Sequence, residues 1–431
     1  VAAGGDGPRG AAAGGDALRR AAHRRGLRPR GGARGGMILM FSAAHPADDT
    51  RIVAKEGAAL AAAGHRVVHL APGAGPSGWL AGVELRAHGP ARRGWRARLG
   101  GIPALARAAA AMRPAVIHAH EPDAWIAARL AAWRCGARVV LDVHEHYPSR
   151  LDARLPRALR GVARRALALA CRLLAARADA VVVAKEGLDG AFGRRCIAVR
   201  NYAADPGVVP RRHAPGPLRL LHLGAFGAAR GAFVMLDALA RLPAETRLTL
   251  LGRFTDGSEP HFAALARMLG LEGRIERLGW RERGAALAEA ARCDVALVLF
   301  QPGVENHRLA LPHKLFDAML CGLPVIVPDF AEEVARIVAE TGCGIAVDTT
   351  DPARIAAAVR TLRDPALRAV MGARGRDAAL CRYGWAGEAV RLVELYRELL
   401  PGRQPQALRS PLAAARGVMP VACSPQDAAG G

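Results

Sequence analysis

Short runs of consecutive apolar residues recur along the chain, separated by stretches whose apolar positions return every three or four residues. The first kind reads as strands buried on both faces, the second as helices with one apolar face. In the first half the strand candidates are 37–42, 66–71, 82–86, 115–119, 138–143, 180–183 and 196–200. Helical patterns lie between most of them, as at 51–63, which Gly64 closes just past the last turn. The pattern restarts at Leu218-Arg-Leu-Leu-His-Leu223 and continues with strands at 246–251, 273–279, 294–299, 323–328 and 343–347. Helices over about 352–400 come last. Alternating strands and helices predict parallel sheets covered on both faces, so the two series predict an α/β fold of two doubly wound, Rossmann-like domains. A Pro-rich stretch, Tyr202–Pro217, joins them.

Parallel sheets bind ligands beyond the carboxyl ends of their strands, and the polar clusters of this chain follow its strands. In the first half they are His45-Pro-Ala-Asp-Asp-Thr-Arg51, His118-Ala-His-Glu-Pro-Asp123 and Asp142-Val-His-Glu-His-Tyr-Pro148. In the second half they are Leu223-Gly-Ala-Phe-Gly-Ala-Ala-Arg-Gly231, Leu251-Gly-Arg-Phe254, Leu278-Gly-Trp280 and residues 301–314. Two polar rims predict a cleft between them. Residues 1–36 are Gly/Ala/Arg low complexity without hydrophobic period, and 401–431 are rich in Pro, Ala and Gly, so both read as disordered tails. Val1 reads as a translated GTG start, with the folded part opening at Met37.

Composition changes this picture in three ways. Hydrophobic residues make up 51% of the 431, which rules out wholesale disorder. The net charge of +23 looks like a nucleic-acid signal, yet only three of the 61 basic residues are lysine: Lys55, Lys185 and Lys314. With so much Ala and Gly, that bias reads as GC-rich coding, which spreads Arg broadly. Aromatic content of 4% further argues against nucleic acid as a partner. The eight cysteines form no CxxC pair and read as scattered thiols in a reducing cytosol. No long apolar run predicts a membrane span and no secretory signal opens the chain, so a cytoplasmic location is expected.

Several motifs carry candidate chemistry. Gly73–Gly78 fits GxGxxG as a string, but Pro76 interrupts it and a further strand follows, against dinucleotide binding. His118/His120 and His144/His146 are two HxH pairs that could chelate a metal with Asp123 or Asp142, or line a cleft as proton carriers. Gly224–Gly231 is a strand–loop–helix turn whose glycines let backbone N–H groups approach a phosphate, with Arg230 placed to cap it. A plain turn is the bland alternative. In Leu311-Pro-His-Lys-Leu-Phe-Asp317, Lys314 and Asp317 share a helical face. Lys314 can hold a phosphate as a point charge and Asp317 can accept from ribose hydroxyls; the alternative is an exposed ion pair. In a chain that uses Arg almost everywhere, a Lys here is unusual. Residues 150–177 carry eight Arg against Asp152, with Leu and Ala at helical spacing. They read as a surface for an anionic membrane or as a solvated basic face.

In order and spacing these residues resemble a GT-B glycosyltransferase of family 4 with a family-1-type C-terminal domain, over roughly 37–400. The matches are His45-Pro-x-Asp-Asp-x-Arg51, Gly64-His-Arg-Val67, His118-x-His and Asp142-Val-His-Glu-x-Tyr-Pro148. The second half adds Leu223-Gly…Arg230-Gly231, Asn306…Pro312-x-Lys-Leu-Phe-Asp317, Gly322-Leu-Pro-Val-Ile326 and Tyr383-Gly-Trp385. The resemblance implies an acceptor-side domain over 37–205, a nucleotide-sugar domain over 206–384, and a helix over 385–400 crossing back. It implies a retaining, metal-independent sugar transfer with no cofactor, in bacterial surface polysaccharide or glycoconjugate synthesis. The partners it implies are a nucleotide sugar and a glycan or lipid-linked acceptor.

The same resemblance assigns residues. Arg230 and Lys314 would neutralise the departing diphosphate, and His144 would stand near the donor sugar. Gly224, Gly231, Asn306 and Asp317 would complete the donor site, and His45, Asp49, Arg51, His118 and Glu145 would lie on the acceptor side. Three departures stand out. Leu309 replaces the first Glu of the family's paired-Glu motif, leaving Glu305 or Asn306 to substitute. Ala225 replaces a frequent Arg, and the N-terminal Gly-Gly loop gives way to His45–Arg51. Leu309 and Ala225 motivate another reading, a catalytically silent scaffold that binds a partner transferase; a further reading on the same two-domain fold is a sugar-nucleotide epimerase or phosphorylase.

Overall fold

The computed structural model describes residues 36–73, 77–92, 94–151, 155–185, 188, 192 and 196–401. Both expected tails and the centre of the Gly73–Gly78 string lie outside the described residues. The strands are β1 (Ile38–Phe41), β2 (Val67–Ala71), β3 (Gly78–Leu80), β4 (Val83–Ala87), β5 (Val116–Ala119), β6 (Arg138–Val143), β7 (Ala180–Val183) and β8 (Cys196–Ala198). They form one sheet in the order β3-β4-β2-β1-β5-β6-β7-β8. A second sheet has the order β11-β10-β9-β12-β13-β14, from β9 (Arg219–Phe226), β10 (Arg247–Phe254), β11 (Ile275–Arg277), β12 (Val295–Leu297), β13 (Val325–Pro328) and β14 (Gly344–Val347). Outside the β6–β7 pair, the pairings are parallel except for β3 against β4. That exception is a short edge hairpin the hydrophobic pattern did not predict.

The helices that follow the first strands are α1 (Ala58–Ala62), α2 (Trp95–Ala111), α3 (Pro122–Cys135) and α4 (Arg157–Ala176). The second series is α5 (Ala232–Ala240), α6 (Glu259–Met268), α7 (Arg283–Ala290), α8 (Glu305–Arg308), α9 (His313–Leu320), α10 (Glu332–Thr341), α11 (Pro352–Thr361), α12 (Pro365–Cys381) and α13 (Trp385–Leu399). Among the described residues, none is long and apolar enough to cross a membrane.

The second sheet shows why continuous apolar runs marked its strands. Leu220, Val295, Leu297 and Ile326 point into one core cluster. Their chain neighbours Leu221, Ala296, Val298, Val325 and Val327 point into another. A two-residue period with both faces covered leaves few polar positions in the strand. The described residues fall into two compact units. One takes in residues up to Asp142, with Ala178–Ala180 and those from Leu392 on; the other takes in Val143–Arg177 and Val181–Arg391. Cys171, Cys293, Cys321 and Cys343 are buried thiols and Cys135 and Cys196 are half-buried. Cys381 departs from the expected scattered thiols in being disulfide-bonded.

Ahead of α1 the chain makes a π-helical turn, Thr50–Gly57, which Asp49 caps by accepting from the backbone of Arg51 and Ile52. The sequence predicts an ordinary helix here. Bonding from residue i to i+5 instead brings Arg51 and Glu56 onto one face, both buried, 2.8 Å apart.

Candidate functional site

In the second unit the strand tips of β9 and β10 and the start of α9 converge on one place. Gly252 has a positive φ, and a Cβ there would lie 1.8 Å from the Gly224 carbonyl oxygen. Gly231, also at positive φ, leads into α5, and a Cβ on it would strike the Leu299 carbonyl at 2.3 Å. Glycine at both positions lets the β9 turn press against its neighbours. Arg230 ends the turn at Ala228–Arg230. It is half-buried, and among the described residues its guanidinium makes no hydrogen bond or ion pair.

Lys314 enters the same place from α9 and is buried. Its Nζ lies 3.0 Å from His222 Nε2, and its Cε lies beside Gly224. It has no acidic partner among the described residues. Burial first, and the positive charge of Arg230 second, push its pKa down to about 7. His222 is buried as well, and burial followed by the Lys314 charge holds it well below the usual histidine value. The ring is therefore neutral and its Nε2 accepts from the ammonium. Pro312 precedes α9 without a side-chain cap, so the first backbone N–H groups of that helix are not claimed by one.

Asp317 lies one turn further along α9, buried, with its Oδ1 2.6 Å from Arg283 Nη2. Lys314 and Asp317 therefore do not form the exposed ion pair that was the alternative reading: each is buried with a different partner. Asn306, on α8, accepts at its Oδ1 from the backbone N–H of His146 at 3.1 Å. This ties the loop after β6, which holds His144 and Glu145, to the α8 segment. Glu145 pairs with Arg150 at 3.2 Å, and Glu305 pairs with Arg308 at 2.6 Å. Leu309 directly follows α8.

One cation and two rings missed in the sequence join this group. His222 reads there as one more core position of an apolar strand. Lys185, just past β7, has its pKa lowered by burial, against the opposing pull of Glu145 and Glu333. His307 is lowered by burial, with the charges of Arg230 and Lys185 adding to it. Lys185 thus belongs to the same electropositive neighbourhood. The lysine scarcity that flags Lys314 flags it equally. Beside the turn, a cavity of about 360 Å³ opens at the ends of β9, β10 and β11, walled by Phe226, Phe254 and Trp280 with Arg253, Arg277 and Glu259.

The first unit gathers the remaining candidates. The loop after β1 offers three successive backbone N–H groups, of Ala43, Ala44 and His45, and all three donate to the Glu121 carboxylate at 2.9–3.0 Å. A loop of this kind is an anion nest, and here it is filled from within. His45 pairs with Asp49 at 3.1 Å. Although burial opposes it, Asp49 and Glu121 together raise its pKa.

Arg51 and His118, expected on the acceptor side, are buried in a polar network. Arg51 grips Asp142 through Nε at 3.2 Å and Nη2 at 3.0 Å. His120 Nδ1 lies 3.2 Å from Asp142 and His118 Nδ1 lies 3.0 Å from the Tyr396 hydroxyl. Glu56, His118, His120 and Asp142 bring their ligating atoms within 4.8 Å of one another. Asp123, the other candidate third ligand, pairs with Arg98 instead, at 2.6 Å. In the cluster the guanidinium of Arg51 contacts both carboxylates and supplies positive charge. Burial holds Glu56 well above the usual carboxylate range.

Two family models match the chain: a Glycosyl transferase 4-like domain over residues 50–203 and the Glycosyl transferases group 1 domain over 217–364. No curated protein matches. Among solved structures, sucrose-phosphate synthase from Thermosynechococcus elongatus superposes with a TM-score of 0.71 at 19% identity, covering 85% of this chain and 99% of that one. HepE of Anabaena in complex with UDP-glucose gives 0.60 at 18%, covering 84% and 100%. The lipopolysaccharide outer core galactosyltransferase WaaB gives 0.57 at 13%, covering 84% and 99%.

Proposed function

The chain is a glycosyltransferase of the GT-B type, and from that premise we propose that it carries a sugar from a nucleoside-diphosphate donor to a glycan or lipid-linked acceptor, with retention of anomeric configuration. The observation that carries the donor reading is Lys314, a buried ammonium with no carboxylate partner among the described residues, beside the guanidinium of Arg230, likewise unpaired among them, at a glycine turn. Burying an uncompensated cation is costly, and a diphosphate is the missing counter-charge. As the glycosidic C–O bond breaks, its electron pair passes to the diphosphate oxygen. Arg230 and Lys314 neutralise that charge where it develops, the electrostatic form of catalysis. The acceptor hydroxyl oxygen bonds the anomeric carbon from the same face and passes its proton to the departing diphosphate oxygen. The nucleobase occupies the aromatic cavity beside the turn, and Asp317 accepts from the ribose hydroxyls. His144 and Asn306 face the sugar, and His45, Asp49 and Glu145 serve the acceptor.

HepE was solved with UDP-glucose, which makes a uridine diphosphate sugar the first donor to test. The setting is bacterial surface polysaccharide or glycoconjugate synthesis in the cytoplasm, peripheral to the membrane. No metal takes part, so prolonged chelation should leave turnover unchanged; a loss restored by one added divalent ion would give the Glu56–Asp142 cluster a place in the reaction.

The decisive measurement is calorimetric titration of UDP and UDP-sugars into the wild type, Lys314→Met and Arg230→Ala. Each charge-assisted contact contributes about 1.5–3 kcal/mol, so each variant should weaken binding about tenfold to a hundredfold. Wild-type affinity retained in both would overturn the phosphate assignment. Failure of every nucleoside diphosphate to bind the wild type would leave the silent-scaffold reading. Conversion of donor to a new nucleotide sugar without acceptor would replace transfer by epimerisation.

A further inference from the structure

Helix α4 is built the wrong way round for a helix of a folded unit. Of its twenty residues only Cys171 and Ala175 are buried. Four of its six Leu and Val side chains face outward: Leu159 is 56% exposed, Val162 72%, Leu169 58% and Leu173 49%, while Leu167 and Leu174 are half-buried. With Ala166, also exposed, the outward four recur at spacings of three and four, which places all five on one narrow stripe. Arg165 and Arg172, both exposed, sit three and four residues from stripe positions and so flank it. The helix carries three more arginines, Arg157, Arg160 and Arg164, and no acidic residue.

A stripe of this spacing fits either a second helix or an apolar phase, and the charge decides between them. Two copies of α4 packed along the stripe would bring ten arginines together with no carboxylate from either helix to offset them. An anionic bilayer supplies both needs, since its acyl boundary takes the Leu/Val stripe and its headgroups take the guanidinium groups at the rim. Arg is suited to that rim, because its stem packs along apolar surface while its head reaches phosphate. We propose that α4 docks on an anionic lipid surface through Leu159, Val162, Leu169 and Leu173, with Arg165 and Arg172 on the headgroups. The proposal rests on the peripheral placement given above and not on the donor chemistry.

The test uses the full chain with vesicles of phosphatidylglycerol and phosphatidylcholine, and with vesicles of phosphatidylcholine alone, read by co-sedimentation. The wild type should bind the anionic vesicles, more weakly at high salt, and ignore the neutral ones. Val162→Ser/Leu169→Ser should lose about tenfold or more in vesicle affinity at a nearly unchanged thermal midpoint, because both side chains are largely exposed. Arg165→Glu/Arg172→Glu should lose at least as much. Lys314→Met should keep vesicle binding whatever it does to UDP binding, which separates failure here from failure of the donor reading. Equal binding by the stripe variant and the wild type would overturn the proposal, as would no binding at low salt. A concentration-dependent dimer abolished by the stripe variant would also overturn it, assigning the stripe to a second copy.

Discussion

A lysine that loses its solvent without gaining a carboxylate must either shed its proton or wait for an anion, and Lys314 is poised between the two. Its pKa near 7 in the folded chain, against about 10.4 when unfolded, has two consequences. For stability, the unfolded chain holds the extra proton between those two values. The penalty from this group is therefore full below pH 7 and is relieved as pH rises from 7 towards 10. For binding, the sign reverses. A diphosphate favours the ammonium, so above pH 7 its binding takes up a proton and UDP affinity should fall by up to about tenfold per pH unit. Lys314→Arg should flatten that profile, because guanidinium does not titrate in the range. His222→Phe should move the inflection to lower pH, since the ammonium loses the ring that accepts from it. Calorimetric titrations across neutral pH check all three, and a flat wild-type profile would remove Lys314 from the donor site. Lys314 was legible in the sequence because a rare residue stood in a chemically loaded segment. His222 was not, because a histidine inside an apolar strand looks like core packing until its neighbour is known.

At the scale of elements, the π-helical turn shows what periodicity cannot resolve. Over eight residues the apolar pattern of an α-helix and that of an i→i+5 turn look alike, so 51–63 read as one ordinary helix. The difference decides where charge goes: the wider turn sets Arg51 and Glu56 on one buried face, against Asp142. Removing Arg51 takes the guanidinium away from the buried Asp142, so Arg51→Met should cost about 3–5 kcal/mol of stability in urea unfolding. Glu56→Gln should cost far less, because burial raises the Glu56 pKa and so favours the neutral form that the amide mimics. If Glu56→Gln proves as damaging as Arg51→Met, Glu56 is a charged member of the network. Tyr396→Phe, which removes the hydroxyl from His118, should cost about 1 kcal/mol. The same reading found thirteen of the fourteen strands, since runs buried on both faces leave a strong signal. It missed β3, whose three residues are half-exposed and paired only at an edge.

At the scale of the whole molecule, the +23 net charge is unevenly placed, and its parts can be told apart by experiment. Residues 1–36 carry eight Arg and two Asp, and 150–177 carry eight Arg and one Asp, so these two stretches hold more than half the excess. Charge alone attracts any polyanion and is screened by salt. An apolar stripe adds a component that salt does not screen and that a soluble polyanion cannot use. Deleting residues 1–35 should therefore weaken retention on a heparin column while leaving α4-dependent binding to phosphatidylglycerol vesicles at high salt largely intact. Val162→Ser/Leu169→Ser should do the reverse, keeping heparin retention and losing the salt-resistant part of vesicle binding. If instead the deletion removes vesicle binding and the stripe variant changes nothing, the basic composition of the chain, rather than the face of one helix, is what the membrane reads.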